Sequence, residues 1–271
     1  MRFWVIKSKH LKYFALVLVA IVLLAITIDG SNSAQVFFGY NVKKTPIYCV
    51  QTTEKKVAIS FDAAWGADKT QDIMDNLKEF NANATFFLVG FWVDKYPDMT
   101  KKIDQSGFEI GTHSNTHPDM TTLSKENINK VPNVLVGYSK ENMEKELDLS
   151  MGLIENAIGK KVTVFRPPYG AYNNTLLEVC TEKNLYAIQW DVDSLDWKGL
   201  SAENITQRII GRVKNGSIIL CHNNSDHIVE ALPMILSRLN QMGYTVCSVG
   251  DLIYKQNFSI DRTGMQIQNQ G

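Results

Sequence analysis

Short apolar runs recur along the chain from residue 57 onward. There are seven: VAISF (57–61), TFFLV (85–89), FEIG (108–111), VFR (164–166), YAIQW (186–190), IILCH (218–222) and YTVCS (244–248). Continuous apolar runs of this length are typical of strands buried on both faces. Between them lie stretches whose apolar residues recur every three or four positions, so the alternation predicts a parallel sheet. An open doubly wound sheet and a closed (β/α) barrel both fit this pattern.

The stretches between the runs have the periodicity of amphipathic helices. Their apolar stripes begin at Ile73, Met143, Ile205 and Ile228. Each stripe predicts a helix that packs one face against the sheet. No glycine-rich phosphate loop follows the first run, which argues against a dinucleotide-binding fold.

The N-terminal end has a different pattern. Residues 1–12 carry four Lys or Arg residues and no acid, and residues 13–28 carry no charge at all. A membrane span needs about 20 apolar residues and the core of a signal peptide about 7–15. The run therefore fits a retained membrane anchor, which its length favours, or a cleaved signal. The basic start predicts that residues 1–12 are cytoplasmic and that the chain after residue 28 lies outside.

The rest of the chain is predicted to form one domain. We expect a linker over 29–53, an α/β domain over 54–254 and a polar tail over 255–271. Hydrophobic residues make up 45% of the 271 residues and charged ones 21%, as in globular proteins. Of the 28 Lys and Arg residues, four precede residue 13, which leaves 24 against 28 acidic residues. This acidic balance argues against a nucleic-acid partner.

Polar side chains follow five of the seven runs. They are Asp62 after the first, His113 and His117 after the third, Arg166 and Tyr169 after the fourth, Asp193 and Asp196 after the fifth, and His222 at the end of the sixth. In a parallel barrel the carboxyl ends of the strands share one mouth, where catalytic residues lie. We therefore expect these side chains to meet there.

The types of these residues indicate metal-assisted hydrolysis. His113 and His117 have the HxxxH spacing of half a metal site, although two surface histidines give the same pattern. An aspartate such as Asp196 can fix the tautomer of His222 and raise its basicity. Arg166 precedes two prolines, whose rigid turn would hold it in place to orient a carboxylate. No serine lies in a nucleophile elbow, so a metal-activated water is the better candidate nucleophile.

Five motifs in order carry a family resemblance: SFDAAWG, HSNTH, RPPYG, DSLDW and LCH. Over about 54–254 the chain resembles the polysaccharide deacetylase family, the NodB-homology domain of carbohydrate esterases. FDAAWG and the preceding PIY resemble the branch associated with bacterial spore formation. The resemblance implies a distorted parallel (β/α) barrel of about seven strands. It also implies hydrolysis of N-acetyl groups on amino sugars of peptidoglycan or a related wall glycan, with release of acetate.

The resemblance also implies catalytic roles. Asp62 would be the general base, with Arg166 as its orienting partner. His222 would be the general acid, held by Asp196. The backbone N–H of Tyr169 would join the oxyanion hole. The substrate-binding residues would be Pro167, Tyr169, Trp197 and Leu220.

The implied cofactor is a divalent metal, zinc, held by His113 and His117. The family pattern has a second aspartate where this chain has Ala63, a position that we expect to face the barrel mouth. Loss of this anionic ligand should leave the metal weakly held, either by the two histidines and waters or with Asp62 turned to the metal. The alternative is a catalytically silent glycan-binding or scaffolding protein on the same fold.

Overall fold

The computed structural model describes residues 43–121 and 138–269, together with Tyr13, Val17 and Leu18. The chain divides into two compact units, Met1–Lys43 and Lys44–Gly271. Apart from those three residues, the predicted membrane segment 13–28 lies outside the described part. Within the described part, no helix is both long and apolar enough to cross a bilayer.

The second unit is built on a parallel sheet and a small side sheet. The strands are β1 (Cys49–Val50), β2 (Lys56–Ala63), β3 (Thr85–Leu88), β4 (Glu109–Thr112), β5 (Val164–Phe165), β6 (Tyr186–Ala187), β7 (Val192–Asp193), β8 (Ile218–His222), β9 (Thr245–Cys247), β10 (Phe258–Ile260) and β11 (Met265–Gln268). The main sheet has the order β6-β5-β4-β3-β2-β8-β7, and β9 also pairs with β2. All of its pairings are parallel.

The two ends of the main sheet are consecutive in the chain. Only residues 188–191 separate β6 from β7. Such a link reaches at most about 18 Å, so the sheet must curve until its ends approach each other. Ile47 also forms a parallel bridge to Ile188 beside this gap. The curvature confirms the predicted distorted (β/α) barrel, and all seven predicted strands are present.

Helices cover the outside of the barrel. They are α1 (Thr70–Glu79), α2 (Gly90–Lys95), α3 (Pro97–Gln105), α4 (Lys140–Ile158), α5 (Asn174–Glu182), α6 (Ala202–Ile210), α7 (Ile228–Gln241) and α8 (Val249–Leu252). The longest, α4, begins after Ser139, whose side chain accepts from the N–H of Asn142. It ends at Gly159, which adopts the left-handed conformation at φ 71°.

The strands divide the core into two layers. The outer layer is an apolar cluster that β2 shares with the buried faces of the helices. Its members from β2 are Val57, Ile59, Phe61 and Ala63. Ala58 instead belongs to a second cluster, inside the barrel. Successive side chains of a strand point to opposite faces, so Ser60 and Asp62 point inward like Ala58. A one-residue slip would move Asp62 into the apolar outer layer. The burial of the outer-layer side chains, about 1.5–3 kcal/mol each, therefore sets the register that places this carboxylate.

The predicted polar tail over 255–271 is wrong for most of its length. β10 and β11 form an antiparallel hairpin, and β11 pairs in parallel with β1. The carboxylate of Asp261 holds the turn by accepting from the N–H groups of Thr263 and Met265. The amide of Gln266, fully buried, donates to the carbonyl of Tyr254 and accepts from its N–H. These polar groups are paired within the fold. The polar composition of the segment was therefore not evidence for a tail.

The predicted linker over 29–53 also needs correction at its end. The compact unit begins at Lys44, and Cys49–Val50 is a strand. Ile47 and Val50 belong to the apolar cluster inside the barrel. The N–H of Tyr48 donates to the carbonyl of Gly264, which joins this segment to the hairpin turn. The last residues before β2 are therefore part of the barrel.

All four cysteines are buried free thiols: Cys49, Cys180, Cys221 and Cys247. Cys221 and Cys247 lie within β8 and β9, as expected of small apolar residues in strands. Burial raises the pKa of Cys247 to about 12, so this thiol stays protonated at neutral pH.

Candidate active site

The carboxyl ends of the strands bring five polar side chains to one mouth of the barrel. Asp62 lies near the end of β2, and His222 is its register neighbour at the end of β8. His113 directly follows β4, and Arg166 directly follows β5. Asp196 begins a 3-10 turn after β7. The structure thus gathers these five residues. Asp193, which was expected with them, instead accepts from the N–H of Leu195 in the loop after β7. The catalytic roles remain predictions.

A buried ion pair joins Asp62 to Arg166. Arg166 is fully buried, and its Nη1 donates to Oδ1 of Asp62 at 2.8 Å. Its Nη2 donates to the carbonyl of Gln189 at 3.1 Å, and the guanidinium lies 4.2 Å from the ring centre of Phe87. Burial alone would raise the pKa of Asp62, but the charge of Arg166 and its hydrogen bond to the carboxylate lower it. Asp62 is therefore ionised and can accept a proton.

The hydrogen bonds of His113 determine which nitrogen faces the carboxylate. Its Nδ1 lies 2.7 Å from the carbonyl oxygen of Arg166. A carbonyl only accepts, so Nδ1 carries the proton and Nε2 has a lone pair. Burial lowers the pKa of His113, and the opposing charge of Asp62 does not reverse this. The imidazole is therefore neutral, the form that binds metals.

Nε2 of His113 and Oδ2 of Asp62 are 3.5 Å apart. This is too long for a good hydrogen bond. Two donors bound to one zinc ion at about 2.0–2.2 Å, with a tetrahedral angle between them, would be about 3.3–3.6 Å apart. The spacing therefore fits two ligands of one cation and places Asp62 within reach of a metal held by His113.

His117 supplies the second imidazole. Its backbone has φ 60°, and its N–H donates to Oγ of Ser114. Its ring lies edge-on to those of His113, Tyr169 and Trp65, with centroid distances of 4.8, 4.7 and 5.2 Å. Burial, reinforced by His113, lowers the pKa of His117 to about 4, so the ring is neutral at pH 7.

The fit of a metal to these two histidines is partial. Nδ1 of His117 is buried, and the described residues give it no hydrogen-bond partner. Such an orphaned nitrogen fits a ligand atom for a cation. In the described ranges, however, no group of three or more His, Cys, Asp or Glu side chains is placed to hold a metal. The residues fit a metal bound by two imidazoles better than one enclosed by a complete set of ligands.

Glu146 holds the histidine loop, residues 113–117, in place. It lies on α4 and is buried, and its Oε2 accepts from the N–H groups of Asn115 and Thr116 at 2.9 and 2.8 Å. Its Oε1 accepts from the hydroxyl of Thr116 at 2.7 Å. No motif in the sequence predicted this residue. Its signal was an acid next to the apolar stripe position Leu147, where a polar side chain must find partners.

Asp196 and His222 form a second pair across the mouth. Oδ1 of Asp196 is 2.8 Å from Nδ1 of His222, and Oδ2 accepts from the N–H of His222 at 2.8 Å. The carboxylate makes Nδ1 a donor and leaves Nε2 for chemistry. Burial alone would lower the pKa of His222, but the hydrogen bond and charge of Asp196 raise it. This histidine is therefore suited to donate a proton near neutral pH.

The RPPYG turn places the predicted oxyanion donor. Tyr169 has φ 59° inside the 3-10 turn Pro168–Gly170. The first N–H groups of a helix lack an intrahelical acceptor, and Pro168 has no N–H, so Tyr169 supplies the first one. Gln189, which the sequence analysis missed, donates from Nε2 to the carbonyl of Gly170 at 2.9 Å. The backbone carbonyl of Gln189 accepts from Nη2 of Arg166, so Gln189 connects this turn to the ion pair.

The predicted substrate-binding residues belong to β8 and to the segments that follow β5 and β7. Leu220 points into the barrel one pleat below His222 and is almost fully buried. Trp197 is exposed on the turn that carries Asp196. Pro167 is buried beside Arg166. Leu220 and Trp197 thus lie close in sequence to the pair of Asp196 and His222, whereas Pro167 and Tyr169 lie on the turn after Arg166, where Tyr169 contacts His117.

Ala63 does not face the mouth as expected. It is fully buried, and it belongs to the apolar cluster between the sheet and the helices. It is paired in register with Leu88 of β3, and its carbonyl accepts from the N–H of Val89. Since side chains alternate along a strand, the inward position of Asp62 turns Ala63 outward. A carboxylate at this position would enter an apolar environment.

The model of the family "Polysaccharide deacetylase" matches residues 50–188, which is about half of the chain. The chain belongs to the polysaccharide deacetylase family. The matched residues include Asp62, His113, His117 and Arg166, while His222 lies beyond them.

Individual relatives of this deacetylase-family chain cover more of it. The uncharacterized protein YlxY of Bacillus subtilis is 30% identical over 213 residues, which are 79% of this chain and 62% of that protein. A peptidoglycan-N-acetylglucosamine deacetylase of Bacillus cereus is 34% identical over 192 residues, 69% of this chain and 64% of that protein. The chain therefore spans a little under two thirds of the length of either relative.

Solved structures of the CE4 family are also similar to this chain. BA3943 of Bacillus anthracis, described as a CE4 family pseudoenzyme, is similar with a TM-score of 0.70 and 29% identity. The match covers 79% of this chain and 71% of that one. A BA3943 mutant described as having restored enzymatic activity has the same TM-score at 31% identity, over 79% and 73% of the two chains.

Proposed function

We propose that this protein hydrolyses the N-acetyl group of amino sugars in peptidoglycan or a related wall glycan and releases acetate. The observation that carries the proposal is the pairing of acid and base across one mouth. Asp62 is kept ionised by Arg166, and on the neighbouring strand the pKa of His222 is raised by Asp196. The peptidoglycan deacetylase among the relatives supports the wall glycan as the substrate class.

In the proposed reaction, water attacks the carbonyl carbon of the acetyl group. Asp62 takes a proton from that water on Oδ2, because Oδ1 is the oxygen that accepts from Arg166. The N–H of Tyr169 stabilises the oxyanion that forms on the carbonyl oxygen. His222 then gives the proton on Nε2 to the sugar nitrogen, the C–N bond breaks, and the products are acetate and a free amine.

His113 and His117 would hold a divalent metal, and zinc suits their nitrogen donors. When bound, such an ion polarises a carbonyl and makes water more acidic. Ala63 supplies no ligand, and Asp62 is shared with Arg166. We therefore expect the metal to exchange readily and to be removed by chelators.

A catalytically silent glycan-binding protein is the second candidate. One observation favours it: the position of the family's second aspartate is occupied by Ala63, buried in an apolar layer. The similarity to BA3943, a pseudoenzyme, points the same way. The intact pairs of Asp62 with Arg166 and Asp196 with His222 favour the enzyme, because binding alone requires neither.

The same proposal includes a location. The basic start before the apolar residues 13–28 supports a domain outside the cytoplasmic membrane, either anchored or secreted. The likeness of FDAAWG to the spore-formation branch supports a role in modifying the wall during spore formation. A reporter fused to the C-terminus that is active only in the cytoplasm would contradict the location.

The test of the activity is acetate release from purified peptidoglycan by the full chain, measured with added zinc and with a chelator. We expect release with zinc that falls sharply after chelation. His222→Ala is the control for contaminating enzymes. No release by the wild-type protein with any divalent metal, alongside retained glycan binding, would favour the second candidate.

A further inference from the structure

Exposed aromatic side chains are concentrated at the mouth of the barrel. In the described part of the second unit, the large aromatic side chains that are exposed to solvent are Trp65, Phe91, Tyr169 and Trp197. Each belongs to a segment that follows the carboxyl end of a strand. Clustered exposed aromatic groups are typical of binding surfaces, because their burial against a ligand is favourable.

Trp65 and Phe91 form a pair on one side of this mouth. Their ring centroids are 6.4 Å apart, and their planes are inclined by 54°. They are 58% and 38% exposed, although each packs against the other. Trp65 also lies edge-on to His117, at 5.2 Å between centroids. The pair is thus continuous with the candidate active site and lies beyond its imidazoles.

The backbone next to Trp65 is held in place. The carbonyl of Gly66 accepts from Nε1 of Trp92 at 2.6 Å and from Nδ2 of Asn223 at 2.9 Å. The N–H of Asn223 donates to the carbonyl of Asp62, which links this anchor to β2. Gly66 has φ 69°, a conformation that favours glycine. A ring carried on an ordered segment loses little conformational entropy when it binds a ligand.

We propose that Trp65 and Phe91 form a second sugar-binding subsite, which stacks on the apolar face of an N-acetylhexosamine ring further along the glycan. The inference rests on the proposed function, and the contact of Trp65 with His117 places the pair next to the site where the acetyl group would react. The occupant is a pyranose ring because its C–H face is flat and apolar and its N-acetyl methyl group adds apolar surface. The subsite would favour long glycan chains over single sugars.

The test is calorimetric titration of the full chain with an N-acetylglucosamine pentasaccharide and with the monosaccharide. Aromatic stacking contributes about 0.5–1.5 kcal/mol. Trp65→Ala and Phe91→Ala should therefore each weaken pentasaccharide binding about two- to tenfold and leave monosaccharide binding unchanged. Trp65→Phe keeps a ring and should retain most of the affinity. Met234→Ala is the matched control, because Met234 is also 38% exposed but lies in a cleft between α6 and α7.

Three results would overturn the proposal. They are pentasaccharide binding that is unchanged in Trp65→Ala and Phe91→Ala, an equal loss for both sugars, and no pentasaccharide binding by the wild-type protein. Tighter binding of a wall peptide than of the pentasaccharide would also overturn it, in favour of a peptide site. The titration does not depend on turnover. Binding that behaves as expected without acetate release would count against the proposed reaction and leave the subsite supported.

Discussion

Arg166→Met removes the cation that offsets the buried charge of Asp62. The guanidinium is fully buried and bonds to the carboxylate at 2.8 Å, and Asp62 is only 7% exposed. Loss of one partner of a buried ion pair typically costs about 3–5 kcal/mol, because the other charge remains buried without compensation. Methionine keeps an unbranched apolar stem beside Phe87, which limits the cavity. At neutral pH the free energy of unfolding should therefore fall by about 3–5 kcal/mol, a decrease in melting temperature of about 6–20 °C.

The size of this loss should depend on pH with a definite sign. In the wild-type protein the folded pKa of Asp62 lies below its unfolded value. The pair therefore contributes stability above the unfolded pKa and loses it as the pH falls through the folded pKa. In Arg166→Met, burial is no longer opposed by the guanidinium, so the folded pKa should rise above the unfolded value. At acid pH, protonation of Asp62 removes the uncompensated buried charge and so stabilises the variant. His113 and His222, which face the carboxylate, also gain positive charge at acid pH. The loss of stability should shrink as the pH falls.

The assay is urea unfolding followed by circular dichroism at neutral and mildly acidic pH. Asp62→Asn combined with Arg166→Met removes both charges and should recover much of the lost stability. Arg212→Met is the control at an exposed arginine, where a change within about 0.5 kcal/mol is expected. The same loss at both pH values, or a double variant no more stable than the single one, would refute this account of the pair.

The remaining predictions concern catalysis and metal binding. His222→Ala should lower acetate release about 10²–10⁴-fold in a protein that still unfolds cooperatively in urea, and a rate near that of the wild-type protein would exclude His222 as the acid. Because Asp196 raises the pKa of His222, activity should fall only as the pH rises through that raised pKa. Asp196→Asn should move this decline, measured as a pH–rate profile, to lower pH. Ala63→Asp should destabilise the metal-free protein, since it buries a carboxylate in an apolar layer. Because position 63 faces away from the mouth, zinc should raise the melting temperature of Ala63→Asp no more than that of the wild-type protein or of the matched variant Ala64→Asp. A larger rise in Ala63→Asp would show that the new carboxylate reaches the metal, which would contradict the outward direction of position 63.

The sequence by itself determined the strands and the residues at their ends. Continuous apolar runs bury both faces of a strand, so their positions are local information that needs no knowledge of partners. The place of Asp62 or His222 at the end of such a run then follows from the chain alone. The helical stripes are local in the same way, as at Ile73 and Met143, which are both buried.

Only the tertiary structure decided how these residues pair and which way they point. The ion pair joins Arg166 to Asp62 across 104 positions of sequence, and Glu146 binds the histidine loop from 30 positions away. Such contacts depend on the register and curvature of the sheet, which no local pattern encodes. The direction of Ala63 follows from the same register, because the outer-layer side chains set which face each residue of β2 occupies. The hairpin over 258–268 was not predicted because its polar groups are paired within the hairpin and with β1, and composition does not reveal which polar groups are paired.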